Sequence, residues 1–408
     1  MSPKSIIVIG ASHAGAQCVI SLRQGGFEGN ITLIGDETDL PYHHPPLSKD
    51  FLSGSKIIDD ILLRPASVYK DAHITLKLGT RVTQIDRNNK TITTKSGETL
   101  PYDRLILATG ARVRKLAISG ADDPRVLYLR DAKDVREIKA QLSTAKRAVI
   151  IGGGYIGLET AASLRKLGLD VTILEAMERI LQRVTAPIMS DFYRRIHHEE
   201  GVIIAESEIA SAITRDGSTL SVKAKSGREY TADIVIIGIG VIPNIELAQS
   251  AKLKLDDGII VNEYCQTNDK DIYAIGDVTR HYNPIYDTHL RLESVPNATE
   301  QAKIAALHIN QNAKPYNSLP WFWSDQFDLK LQIAGLSDGY DDIIIRGDHK
   351  NSRNFSAFYF KGERFIAVDA VNDPRAFMFS KMVLSKGQNL SKARLADPQN
   401  HLKSTILP

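Results

Sequence analysis

The chain is poor in cysteine, with two among 408 residues. Cys18 and Cys265 share no C-x-x-C spacing, so a redox-active dithiol is excluded, and two thiols cannot hold an iron–sulfur cluster. Cys18 falls on a predicted helix and Cys265 in a polar, strand-like segment, which makes both expected to be inert thiols. Long apolar runs are also missing. The longest, Ile234 to Pro243, is interrupted by glycine and falls far short of the roughly 18 residues a membrane helix needs. No secretory leader is read at the start, because Met1-Ser2-Pro3-Lys4 leads directly into a strand, and the expected compartment is the cytoplasm. Net charge is only +3, with no basic run interleaved with aromatics, so a nucleic-acid partner is not expected. With 43% hydrophobic and 24% charged residues the composition is that of an ordinary globular protein, and the length exceeds one core, predicting two or three domains.

What is present is a repeated glycine signature. Gly10-Ala11-Ser12-His13-Ala14-Gly15 follows the β-branched run Ile6 to Ile9, and Gly152-Gly153-Gly154-Tyr155-Ile156-Gly157 follows Ala148 to Ile151. Each opens a helix-patterned stretch, the strand-turn-helix setting in which such glycines let backbone N–H groups approach a pyrophosphate. Each unit also ends a second strand in acid, at Asp36-Glu37 and at Glu175, where a carboxylate can accept from ribose hydroxyls. Two dinucleotides are therefore implied. Ser12 replaces the second glycine of the first copy and is small enough to keep the approach. Glu175 favours NADH over NADPH, since it would repel a 2′-phosphate, and the nearby Arg179 is read as ion-paired with Glu178.

The predicted fold is α/β, with two Rossmann-like dinucleotide-binding domains, one inserted in the other, and a C-terminal α+β domain with an antiparallel sheet. The strand Leu105 to Leu107, ending in Ala108-Thr109-Gly110, returns the chain to the first sheet, and Ile234 to Ile237 closes the second. A strand ending in Gly276-Asp277 and a helix over roughly Ala298 to Asn310 follow. Alternating patterns from Trp321 to Val371 predict the closing sheet, and the tail beyond Asn372 is polar and basic.

The run of motifs resembles the oxygenase-coupled, FAD-containing NADH:ferredoxin reductases over nearly the whole chain. Pro45-Pro46-Leu47-Ser48-Lys49 and Trp321-Phe322-Trp323-Ser324-Asp325-Gln326 are the narrowest signatures. Ala108-Thr109-Gly110, Leu129-Arg130, Arg183-Val184-Thr185-Ala186-Pro187, Gly240-Val241-Ile242-Pro243-Asn244, Ala274 to Asp277 and Glu293 to Ala298 accompany them. By that resemblance residues 1–110 and 241–316 form the FAD-binding domain, 111–240 the NADH-binding domain and 317–408 the C-terminal interface domain. Gly10, Ser12, Ala14, Gly15, Ala108 and Gly110 would hold FAD, with Asp36 at its ribose, Val82 near the adenine, Asp277 at the ribityl chain, Val295 at the isoalloxazine edge, and Lys49 and Arg130 on the flavin nucleotide. NADH would take Gly152, Gly154, Ile156, Gly157, Glu175, Arg183 and Gly240. Glu159 would stand at the nicotinamide carboxamide with Lys49 in ionic reach, these two being the catalytic pair. His44 stands where many relatives carry arginine, and related oxidases and disulfide reductases need a cysteine near Tyr42 to Pro46 that is absent.

The resemblance implies hydride transfer from NADH to FAD and single-electron delivery to a [2Fe–2S] ferredoxin that supplies a haem monooxygenase. Lys303 and Trp323 would face that partner, aided by the basic tail, and the chain would be a monomer or weak homodimer with no metal site. Two alternatives stand beside it. One is an NADH-dependent reductase of small acceptors such as a quinone or dioxygen; the other is a redox-sensing interaction protein that binds FAD and NADH.

Overall fold

A computed structural model describes residues 3–407. Two compact units divide the chain. One runs to His43 and takes up Ile61–Arg112 and Pro243–Phe322; the other comprises His44–Asp60, Val113–Ile242 and the chain from Trp323 onward. The segment carrying Pro45 to Lys49, expected in the FAD-binding domain, thus packs within the second unit.

In the first unit the five-stranded sheet has the order Ile272–Ala274, Arg104–Leu107, Ser5–Ile9, Asn30–Ile34, Ile74–Lys77. All four pairings are parallel. Its central strands are continuous apolar runs because helices cover the sheet, and Ile6, Val8, Leu33 and Ile106 are fully buried beside Cys18 and Ala302. The fingerprint strand Ser5–Ile9 sits between its successor and the return strand, so strand order reverses at its carboxyl end, where open α/β sheets bind ligands.

The second unit repeats this plan. Its parallel sheet has the order Ile203–Ala205, Asp170–Leu174, Arg147–Ile151, Ile234–Ile237, Val126–Tyr128. All these strands fall in sequence between Arg104–Leu107 and Ile272–Ala274, which makes the second dinucleotide fold an insertion in the first. The same unit holds, from Trp323 onward, a sheet of order Trp321–Gln326, Leu329–Gly335, Arg364–Val371, Phe355–Lys361, Asp342–Gly347. Its pairings from Leu329–Gly335 to Asp342–Gly347 are antiparallel.

Three local readings are corrected. The tail beyond Asn372 contains a helix, Pro374–Ser385, which buries Phe377, Phe379, Val383 and Leu384, an apolar face that the interspersed basic residues hide in a composition count. Cys265 lies in a turn at φ 61° rather than in a strand. The helix expected from Ala298 begins at Val295, because Ser294 accepts from the Asn297 N–H as its N-cap and Pro296 fits the first turn. Among the described residues no helix is long and apolar enough to cross a membrane, and no cluster of metal-ligating side chains occurs.

Candidate functional site

Both glycine loops are built alike. Gly10 and Gly152 adopt φ 112° and 115°, and a Cβ on either would strike a return-strand carbonyl, 2.0 Å from Ala108 O and 2.4 Å from Gly238 O. Gly15 and Gly157 each lie against the first glycine of their loop, where a Cβ would approach its carbonyl oxygen to 1.9 and 2.1 Å. Ser12 and Gly154 are the equivalent N-cap residues of the helices His13–Gln24 and Tyr155–Lys166. Beside Gly154 a Cβ would meet nothing within 4 Å. Neither helix carries an acidic residue in its first turn, so both N-terminal dipoles remain available to a phosphate. These cradles fit the pyrophosphates of FAD and NADH.

In the first unit Ala14 turns toward Gly276, where a Cβ at φ 81° would stand 3.1 Å from the Ala14 side chain and 3.7 Å from Ala298. This brings Asp277, half-buried, to the fingerprint helix. The loop is held by Gln301, whose Oε1 accepts from the Gly276 N–H at 2.7 Å and the Thr279 hydroxyl at 2.9 Å. The sequence reading missed Gln301; its signal was a buried amide on a helix otherwise lined with alanine. Thr109 and Asn244 exchange hydrogen bonds of 2.8 Å, fixing the turn that contains Ala108 and Gly110. Asp36 is exposed and pairs with Arg81 at 3.4 Å, next to buried Val82. Val295 opens its helix half-buried.

Lys49 and Arg130, expected on the flavin nucleotide, belong to the second unit. There Glu175 is pinned: one oxygen accepts from the Gly153 N–H at 2.6 Å and the other from the Met177 N–H at 2.8 Å, leaving each a free lone pair for a ribose hydroxyl. Arg179 does not pair with Glu178. Its guanidinium donates to the Ser190 hydroxyl at 2.7 Å and the Gln182 carbonyl at 3.1 Å, because the chain turns back on itself there. Arg183 is exposed near Gly240, where a Cβ would be 3.8 Å from its guanidinium, and Ile156 is 47% exposed at the loop.

Glu159 is the most constrained of the expected residues, at 3% exposure. One oxygen accepts from Lys49 Nζ at 2.7 Å and from the Ser48 hydroxyl at 2.6 Å; the other accepts from the Ser324 hydroxyl at 2.6 Å. One turn further along the same helix face, Ser163 donates to the Ser48 carbonyl at 2.6 Å, so the helix grips the Pro-Pro-Leu-Ser-Lys segment at two points. Burial of the carboxylate is tolerated because three of its roughly four acceptor positions are filled here, leaving one on Oε1. Ser48 and Ser324 lie inside motifs noted in the sequence, yet no role was read for them.

Elsewhere the candidates separate. Trp323 is half-buried on the strand Trp321–Gln326, and Lys303 is exposed in the first unit, paired with Glu300 at 2.7 Å. Both cysteines are buried and free, and burial pushes the Cys18 thiol up to about 12 and Cys265 higher still, so neither supplies a thiolate.

Residues 4–302 match the pyridine nucleotide-disulphide oxidoreductase family and residues 321–406 the reductase C-terminal domain. Putidaredoxin reductase of Pseudomonas putida is 42% identical over 98% of this chain and 96% of its own. Rhodocoxin reductase of Rhodococcus erythropolis is likewise 42% identical, over 98% of this chain and 94% of its own. The reductase in a crystal structure of the covalent putidaredoxin reductase–putidaredoxin complex superimposes with a TM-score of 0.95 at 40% identity, covering 99% of this chain and 98% of that one. Twin glycine cradles, the pairing of Lys49 with buried Glu159 and the closing sheet therefore belong to one lineage: the chain is a member of the pyridine nucleotide-disulphide oxidoreductase family, with a reductase C-terminal domain.

Proposed function

We propose that the chain is an FAD-dependent NADH:ferredoxin reductase of the cytoplasm, serving a [2Fe–2S] ferredoxin that feeds a haem monooxygenase. The observation that carries this reading is the pairing of Lys49 with buried Glu159, which stands on the helix that opens at the second glycine cradle. When bound, FAD accepts the two electrons of a hydride together and passes them on singly. The protein orients and insulates. Glu159 accepts from the nicotinamide carboxamide N–H while Lys49 balances its charge, and Glu175 accepts from the adenosine ribose. Gly152, Gly154, Ile156, Gly157, Arg183 and Gly240 complete the NADH site. In residues 1–110 and 241–316, the Gly10 to Gly15 loop, Asp36, Val82, Ala108, Gly110, Asp277 and Val295 hold FAD, and Lys49 and Arg130 are the further residues that the family resemblance assigns to the flavin nucleotide. The similarity to putidaredoxin reductase, rhodocoxin reductase and a ferredoxin–NAD(P)+ reductase supports this reading, and the burial of both thiols supports a route without a dithiol.

Anaerobic stopped-flow measurement of the two half-reactions tests the reading. NADH should bleach the flavin, and a [2Fe–2S] ferredoxin should reoxidise it far faster than a quinone or dioxygen does. Equal reoxidation by all three acceptors favours the small-acceptor enzyme. Slow reoxidation by every carrier favours the sensor.

A further inference from the structure

The strand Trp321–Gln326 alternates, so Ser324 and Gln326 share one face and Trp323 and Asp325 the other. The Ser324 and Gln326 face is buried, at 0% and 1% exposure. From it a chain of hydrogen bonds runs inward to Glu159. His197, on the helix Pro187–Glu199, lies 2.8 Å through Nε2 from Gln326 Oε1; Gln326 Nε2 donates to Ser324 Oγ at 3.2 Å; Ser324 Oγ donates to Glu159 Oε1 at 2.6 Å. The polarity of this chain is forced. A carboxylate only accepts, so the Ser324 hydroxyl must donate to it and turn its lone pairs to the Gln326 amide, which leaves Gln326 Oε1 to accept and His197 Nε2 to carry the proton.

We propose that Ser324, itself oriented by Gln326 and His197, is a positioning residue that locks the Glu159 carboxylate for recognition of the nicotinamide end of NADH. The proposal rests on the reading of Glu159 given above and extends it to the C-terminal sheet. Without Ser324 the carboxylate keeps Lys49 and Ser48 on Oε2 but can rotate about its other oxygen, which is left buried with no donor. The anchor at the far end is rigid and uncharged: burial holds His197 neutral, its pKa pushed down to about 4, and its ring packs edge-on against Phe327 at 5.0 Å.

The test separates the nicotinamide end from the rest of the dinucleotide. FAD-loaded wild type and Ser324→Ala are titrated calorimetrically with NAD+ and with ADP-ribose, which lacks nicotinamide. The expected result is a loss of about tenfold in NAD+ affinity with ADP-ribose affinity unchanged, the scale of losing a hydrogen bond to a charged group. Equal losses for both ligands reveal a merely structural role and overturn the proposal, as does wild-type NAD+ affinity. Glu159→Gln is titrated alongside. Should Glu159→Gln also bind NAD+ as wild type does, the reading of Glu159 falls and the proposal with it. A selective NAD+ loss in Glu159→Gln with none in Ser324→Ala removes Ser324 alone. Where Ser324→Ala fails to fold, Gln326→Met takes its place, with a selective NAD+ loss of about threefold expected and an unchanged or unselective affinity overturning the proposal.

Discussion

Glu175 shows how one side chain can serve both fold and specificity. It caps the Gly153 N–H and the Met177 N–H, so it stiffens the loop that would receive a pyrophosphate, and in the proposed NADH site it would set negative charge against the 2′-phosphate of NADPH. Glu175→Gln removes the charge and keeps an acceptor for one of the two N–H groups, because the amide NH2 cannot accept from the other. The ratio of kcat/KM for NADH to that for NADPH should fall by about tenfold, the order expected for one screened like-charge repulsion at a few ångströms. An unchanged ratio would remove Glu175 from discrimination. The carboxylate was legible from sequence because it ends a strand about 20 residues after a fingerprint, a purely local spacing. Its double cap was not, since both donors depend on the folded path of the loop.

Among the elements, the strand Arg364–Val371 ties the closing sheet to the loop that carries Arg183. Its Asp369 is buried and accepts at one oxygen from the Thr185 hydroxyl at 2.6 Å and the Tyr359 hydroxyl at 2.7 Å. Desolvation outweighs these two bonds and raises the carboxyl from 3.8 to about 6. The folded protein therefore holds this proton more tightly than the unfolded chain, and the contribution to stability falls as pH rises from about 4 to about 6. Asp369→Asn keeps an acceptor for both hydroxyls and abolishes the titration. Urea unfolding should show the variant gaining on wild type by about 2 kcal/mol between pH 4 and pH 7. A constant difference across that range would place the Asp369 proton equilibrium elsewhere. The strand itself was predicted from alternation, and so were its neighbours. What alternation conceals is burial on both faces, as in Phe355 to Phe360, where polar residues such as Ser356 turn inward to meet partners from other segments.

For the whole molecule the open question is where an electron acceptor docks. Lys303 is exposed and its pair with Glu300 is a surface pair between neighbours on one helix, worth little, so its charge still reaches solvent. The tail is less uniformly basic than its composition suggests: Lys392 is engaged by Asp342 at 3.0 Å and Glu363 at 3.6 Å, whereas Arg375 and Lys386 remain exposed. Lys303→Glu sets two carboxylates one turn apart and should slow ferredoxin reduction by about tenfold at low salt while leaving reduction of FAD by NADH unchanged, because rim charges act on encounter rate. The wild-type ferredoxin rate should also fall with rising salt, as the screening length shrinks to about 8 Å at physiological strength. Stopped-flow traces of both half-reactions at two ionic strengths decide it. A salt-independent native rate, or equal loss in both half-reactions, ends the role of Lys303.

The sequence alone determined what short-range physics dictates: two strand-glycine-helix cradles, the acids that follow them, the absence of a dithiol and the nesting of one dinucleotide fold in the other. The cradles and their acids depend on residues within about one βαβ unit, where spacing and backbone freedom are set by the chain itself, while the nesting and the missing dithiol follow from the order of apolar strands and a count of cysteines. The tertiary structure decided which side chains complete them. Ser48 and Ser324 reach Glu159 across 111 and 165 residues, and Gln301 reaches Gly276 across 25. No periodicity encodes such meetings, because they arise only when packing brings distant segments together and a buried polar group must find its partner there.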